Sequence, residues 1–107
     1  MDRLPPALAA TATLQILDVL GDGPGRVLEL GFAGIHAQLL ELAGWEVVVV
    51  EPDPAFRARA EARAETVADS PAGTFDAVVA PAGIDLSGVD AARAVVVERD
   101  GSVREAR

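Results

Sequence analysis

Two stretches of this sequence carry groups suited to holding a ligand through main chain and carboxylate. Glu29-Leu30-Gly31-Phe32-Ala33-Gly34 closes a short apolar run, and its small residues let a ligand approach the backbone where the next helix opens. Glu51 stands twenty positions after Gly31, at the end of a second apolar run. A carboxylate in that place can accept hydrogen bonds from both hydroxyls of a ribose. Neither half is specific by itself; the pairing is informative if the two runs lie side by side. The chemistry is recognition, because no residue declares itself as a catalyst. His36 is the only histidine, and a lone histidine is more often structural or solvated than catalytic. Asp85 and Asp90 lack a third ligand, so no metal site is expected.

The elements that must position these groups follow from periodicity. Leu4-Pro5-Pro6 sets the first turn of a helix in which Leu8, Ala12, Ile16, Val19 and Leu20 recur on one face until Gly21. Gly21-Asp22-Gly23-Pro24-Gly25 is a linker, and Arg26 to Leu30 is a short buried strand. Gly34 to Ala43 returns to helical spacing through Ile35, Leu39, Leu42 and Ala43, with Gly44 placed to end it in a left-handed turn. Trp45 to Glu51 contains Val47-Val48-Val49-Val50; four β-branched residues without alternation predict a strand covered on both faces.

Pro52 holds Glu51 extended, Asp53 is a helix cap and Pro54 fits the first helical position, so a helix runs from Pro54 to about Val67. Arg57, Arg59, Glu61, Arg63 and Glu65 form its solvated face. A stub of strand falls in Thr66 to Asp69, and Thr74 to Ala80 is a strand that Pro81-Ala82-Gly83 stops. Asp85 to Ala92 suits at most a helical turn or two. Arg93 to Glu98 is a further strand, and Asp100-Gly101 turns it into a hairpin returning through Ser102 to Glu105. This alternation predicts an α/β fold: a Rossmann-like, three-layer α/β/α arrangement with a short, mostly parallel sheet and a C-terminal hairpin.

The 107 residues fit one domain, divided into an N-terminal helix and linker (1–25), a core (26–80) and short C-terminal strands (81–107). Half the residues are hydrophobic but only 4% aromatic, so the core must be built from Ala, Val, Leu and Ile. The net charge of -8 and the absence of any basic stretch argue against nucleic acid as a partner. With no cysteine there is neither a disulfide framework nor a thiolate metal site, which fits a cytoplasmic setting. No apolar window approaches the roughly 18 residues needed to span a bilayer, so no membrane partner is expected.

Taken together, Arg26-Val-Leu-Glu-Leu-Gly31 with its small-residue turn, Ala43-Gly44-Trp-Glu-Val-Val-Val-Val-Glu51-Pro-Asp-Pro, and Thr74-Phe75-Asp76-Ala-Val-Val resemble the class I S-adenosylmethionine-dependent methyltransferase family. The lead-in Leu14 to Gly25 is similar too, and the likeness spans residues 14 to 80. It implies a truncated methyltransferase fold with S-adenosylmethionine as cofactor. Implied cofactor-binding residues are Glu29, Gly31, Phe32, Ala33 and Gly34 in the first motif, Glu51 as the ribose acid with Pro52 beside it, and Asp69 near the adenine amino group. Asp76 matches the family's Phe-Asp.

The sequence also departs from the family. Alternating glycines are replaced by Gly31, Ala33 and Ile35, with a displaced Gly34, and an Ile side chain there would crowd the methionine half of the cofactor. The last two strands of the full family sheet are missing, as is the Asn/Asp-Pro-Pro-aromatic stretch; Ala80-Pro81-Ala82-Gly83 stands instead. Two functions are therefore expected to compete. One is a cofactor-binding protein that methylates a small molecule or protein. The other is a non-catalytic relative serving dimerisation or partner binding. A short sheet leaves an edge and uncovered faces, so a homodimer or a partner protein is expected in either case.

Overall fold

The computed structural model describes the backbone of residues 6–107 and side chains from Thr11 onward. The chain runs α1 (Pro6–Leu20), β1 (Gly25–Leu30), α2 (Ala37–Leu42), β2 (Trp45–Val50), α3 (Pro54–Arg63), β3 (Val67–Ala68), β4 (Thr74–Pro81), β5 (Asp90–Val97) and β6 (Val103–Glu105). The six strands form one sheet in the order β3-β2-β1-β4-β5-β6. All pairings are parallel except β5 with β6. This is the α/β, Rossmann-like arrangement expected of a truncated methyltransferase fold. The expected start of α1 at Leu4 and the side chain of Leu8 lie outside the described residues.

Register fixes the geometry of the site. Gly25 through Leu30 pair one for one with Trp45 through Val50, so both strands end level and their exits share one edge of the sheet. Strand order reverses at β1, which has β2 on one side and β4 on the other, and a ligand is expected at such a switch point. The valine run of β2 alternates between the two faces: Val47 and Val49 join one core cluster, Val48 and Val50 the other. Burying each such side chain contributes roughly 1.5–3 kcal/mol, which outweighs any helical tendency of the segment.

All three helices pack on one face. Ile16 and Leu20 of α1, Ala37 and Leu40 of α2 and Ala60 of α3 share a cluster with Val27, Val47, Val49, Val79 and Val95. On the opposite face, Leu28, Leu30, Val48, Val50, Val78 and Ala94 are covered by irregular chain through Ile84, Leu86 and Val89. The third layer is thus made by the eight residues 82–89. Crossovers between parallel strands usually take about ten or more residues, most often as a helix, and this one is too short to form one.

Several boundaries differ from expectation. α2 begins at Ala37 rather than Gly34, because the preceding turn is spent on left-handed residues. α3 ends at Arg63 rather than near Val67: Ala64 is already extended, and the Thr66 carbonyl accepts from Val49 N at 2.9 Å as the chain enters β3. No helical turn spans Asp85 to Ala92. β5 starts at Asp90, where the register Thr74↔Asp90 and Phe75↔Ala91 lets Ala91 enter the core. Finally, Pro81 closes β4 rather than stopping before it, paired across from Val97. Gly44 does end the α2 segment at φ 100°. The glycine-rich linker has a second cause besides turning: a Cβ on Gly23 would overlap the Gly44 carbonyl, and one on Gly25 would lie 2.6 Å from the Trp45 ring. Trp45 is packed there, its indole N–H donating to Gly21 O at 3.0 Å.

Candidate functional site

Between β1 and α2 the chain makes a tight loop in which Gly31, Ala33 and Gly34 all have left-handed backbones, with φ of 86°, 53° and 76°. Only glycine adopts this without strain; at Ala33 it costs roughly 1–2 kcal/mol. The Ala33 N–H donates to Glu51 Oε1 at 2.8 Å, inside the protein. Glu51 Oε2 accepts from Asp53 N at 2.9 Å. A hydrogen bond to a carboxylate is worth about 1.5–3 kcal/mol, enough to offset the strain. The carboxylate at the end of β2 therefore holds the loop at the end of β1 in shape.

A second carboxylate works from below. Glu29, on the last turn-ward half of β1, has no solvent exposure. Its Oε2 accepts from His36 N at 3.2 Å, while Oε1 has no hydrogen-bond partner. Burial pushes its carboxyl up to about 7, against the backbone hydrogen bonds of His36 and Gly34 and the nearby Arg63, which pull it down; Glu51 adds a small upward push. The Arg63 guanidinium donates to Ala33 O at 3.3 Å, so α3 also grips the loop.

His36 is equally buried. Its Nδ1 and the Thr13 hydroxyl of α1 share a hydrogen bond of 2.6 Å, the Phe32 ring meets it edge-on at 4.7 Å, and Nε2 has no partner. Burial pulls the imidazole down to about 4, so it is neutral near pH 7. A hydroxyl against a neutral imidazole is the pairing that activates a nucleophile. Here both groups are fully buried, so no substrate reaches them, and the pair fastens α1 to α2.

The candidate residues of the sequence fall as follows. Glu29, Gly31, Phe32, Ala33, Gly34 and Glu51 converge at the carboxyl ends of β1 and β2, Ala33 bonded directly to Glu51 and Gly31 N donating to Val50 O at 2.9 Å. Pro52 is exposed beside them. Asp69 follows β3 on the same edge; its side chain is 93% exposed and accepts from Arg57 Nη1 at 2.7 Å. Asp76 lies elsewhere, near the opposite ends of the strands: its Oδ2 accepts from Arg26 N at 2.7 Å, joining β4 to the start of β1. Asp53 is the cap of α3, accepting from Ala55 N at 2.9 Å. Among the described residues no three His, Asp or Glu side chains group as a metal site, and no helix is long and apolar enough to cross a membrane.

Three contributors were not legible in the sequence reading. Thr13 could have been found, since it is a polar residue adjoining the inward face of Ala12, Ile16 and Leu20. Arg63 belongs by sequence to a charged, solvated stripe, and nothing local separates it from Arg57 and Arg59. Ile84 gave no signal, yet a Cβ built on Gly31 would lie 2.7 Å from its Cδ1. A surface recess of about 540 Å³ between α1 and the β5–β6 turn, lined by Gln15, Arg99 and Ser102 among others, is separate from all these groups.

No family model and no curated protein matches the sequence. Solved structures do share its architecture, and two of them serve as examples. Thermoplasma acidophilum 1320 superposes with a TM-score of 0.61 at 20% identity, over 84% of this chain and 58% of that one. The glycopeptide N-methyltransferase MtfA superposes with a TM-score of 0.54 at 20% identity, over 82% of this chain and 52% of its own. The fold is methyltransferase-like. The chain spans little more than half the length of either neighbour.

Proposed function

We propose that this chain binds S-adenosylmethionine, or its demethylated product S-adenosylhomocysteine, at the carboxyl ends of β1 and β2. The observation that carries the reading is the meeting of Ala33 N with Glu51 Oε1, which brings the small-residue loop and the strand-end acid to one spot. A left-handed backbone at Gly31, Ala33 and Gly34, with the one bulky side chain between them, Phe32, turned inward against His36, fits such a ligand. Glu51 would take the ribose hydroxyls on its carboxylate oxygens. The backbone of Gly31 to Gly34 would receive the methionine portion, and Pro52 and Asp69 would flank the adenine, with Asp69 exchanging its Arg57 contact. When bound, the cofactor supplies a methyl group on a positively charged sulfur, and transfer from it depends chiefly on positioning. The acceptor on this reading is a small molecule or a protein. Calorimetric titration with S-adenosylhomocysteine tests it: saturable binding that Glu51→Ala abolishes is expected, and no heat at millimolar ligand removes it.

A second reading, a non-catalytic relative that associates with another chain, is favoured by a different observation. Leu14 on α1 and Leu42 on α2 are 62% and 83% exposed. Each leaves apolar area in water that a partner subunit would cover. On this reading sedimentation gives a dimer at micromolar concentration that Leu42→Glu dissociates. A stable monomer would count against it.

A further inference from the structure

We infer that residues 82–88 form a lid over the ligand site, with Ile84 as its gate: it lies against Gly31 where a ligand must approach, and Arg107 holds it shut. The inference rests on the nucleoside reading above for the identity of the ligand, and on the structure for the closed state.

Gly31 is a glycine for two reasons. Its φ of 86° is left-handed, and the space a Cβ would take is filled by Ile84 Cδ1. The smallness that suits a ligand is therefore used by the protein's own side chain. Ile84 and Leu86 are half-buried against the sheet, while Ala82, Gly83, Asp85, Ser87 and Gly88 are exposed. Gly83 has a left-handed backbone, and neither Gly83 nor Gly88 has an atom within 4 Å of where a Cβ would stand, so both glycines are unpacked points at which the segment can bend, Gly83 lying just beyond Ala82, whose N–H donates to Val97 O at 2.9 Å. Beyond Ala82 its hydrogen bonds are local, from Ile84 N to Pro81 O at 3.5 Å, from Ser87 N to Asp85 Oδ1 and from Val89 N to Leu86 O.

What fixes it is remote in sequence. The Arg107 guanidinium donates to Leu86 O at 2.7 Å, Val89 O at 3.0 Å and Ala91 O at 3.2 Å, joining the lid to the start of β5. Ligand entry requires Ile84 to leave Gly31. The observed affinity is then the intrinsic affinity multiplied by the fraction of molecules with the lid open.

Two measurements test this. Titration with S-adenosylhomocysteine should show tighter binding for Ile84→Ala than for the parent, by about tenfold if about a tenth of molecules are open. A wall that merely packs on the ligand would give weaker binding instead, and equal or weaker binding overturns the gate. Hydrogen exchange without ligand should show faster exchange at Gly31 to Gly34 and at 84–89 in Arg107→Gln, with Val47 to Val49 in β2 unchanged. Exchange unaltered at Gly31 to Gly34 overturns the lid. If neither protein takes up the nucleoside, the cofactor reading fails, and the exchange result alone decides the lid.

Discussion

Ala33 N and Glu51 Oε1, eighteen residues apart in the chain, are joined by a buried hydrogen bond of 2.8 Å, and a strained non-glycine residue depends on it. Glu51→Ala removes the acceptor of both Ala33 N and Asp53 N. Stability should fall by about 2–4 kcal/mol, the cost of leaving one buried and one part-buried donor without partners, less whatever strain at Ala33 relaxes. Glu51→Gln keeps one acceptor oxygen and should lose less than half as much. Urea unfolding of the three proteins measures this; equal stability of Glu51→Ala and the parent would show that the bond does not hold the loop.

The contact between Gly31 and Ile84 predicts coupling. Gly31→Ala suffers from its left-handed backbone and from the 2.7 Å approach of Ile84 Cδ1, and the second part disappears if Ile84 is shortened. In a double-mutant cycle, Gly31→Ala should therefore cost less in the Ile84→Ala background, by about 0.5–1.5 kcal/mol. Strict additivity would mean that Ile84 rotates away at no cost and does not press on Gly31.

Glu29 and His36 set opposing pH dependences. The Glu29 carboxyl rises from 4.5 to about 7 on folding, so between those values the folded protein holds more protons than the unfolded chain, and stability falls as pH rises. The His36 imidazole drops from 6.5 to about 4, so between those values the unfolded chain holds more protons, and stability rises with pH. Across pH 4.5–6.5 the two slopes cancel. Glu29→Gln should unmask the histidine, gaining roughly 3 kcal/mol of unfolding free energy between pH 4 and 6.5. His36→Leu should unmask the glutamate, losing a similar amount by pH 7. Denaturant midpoints across this range check both, and parallel profiles for all three proteins would refute the pairing.

What the sequence made legible is what local periodicity and strand-end chemistry control. The valine run announced β2, Asp53-Pro54 announced the start of α3, and the Gly31 loop and Glu51 could be placed at one sheet edge because two parallel strands of equal length end level. What it left dark depends on side chains meeting across large sequence separations. Thr13 touches His36 across 23 residues, Arg63 reaches Ala33 across 30, and Arg107 holds Leu86 across 21. The missing helix between β4 and β5 had the same origin: composition at Asp85 to Ala92 permitted a turn or two, and only the pairing of Asp90 and Ala91 with β4 decided for strand.

A structural and a catalytic role make different demands on the buried Thr13–His36 pair. Thr13→Val leaves His36 Nδ1 shielded without a partner, which should cost about 1–3 kcal/mol. Replacing both, as Thr13→Val with His36→Leu, removes the orphaned nitrogen along with the hydroxyl, so most of that loss should return. If the pair only fastens α1 to α2, the double variant also keeps S-adenosylhomocysteine affinity within about threefold of the parent, since neither side chain is exposed to the site. A double variant that is stable yet binds no nucleoside would instead place this pair in the ligand-binding machinery.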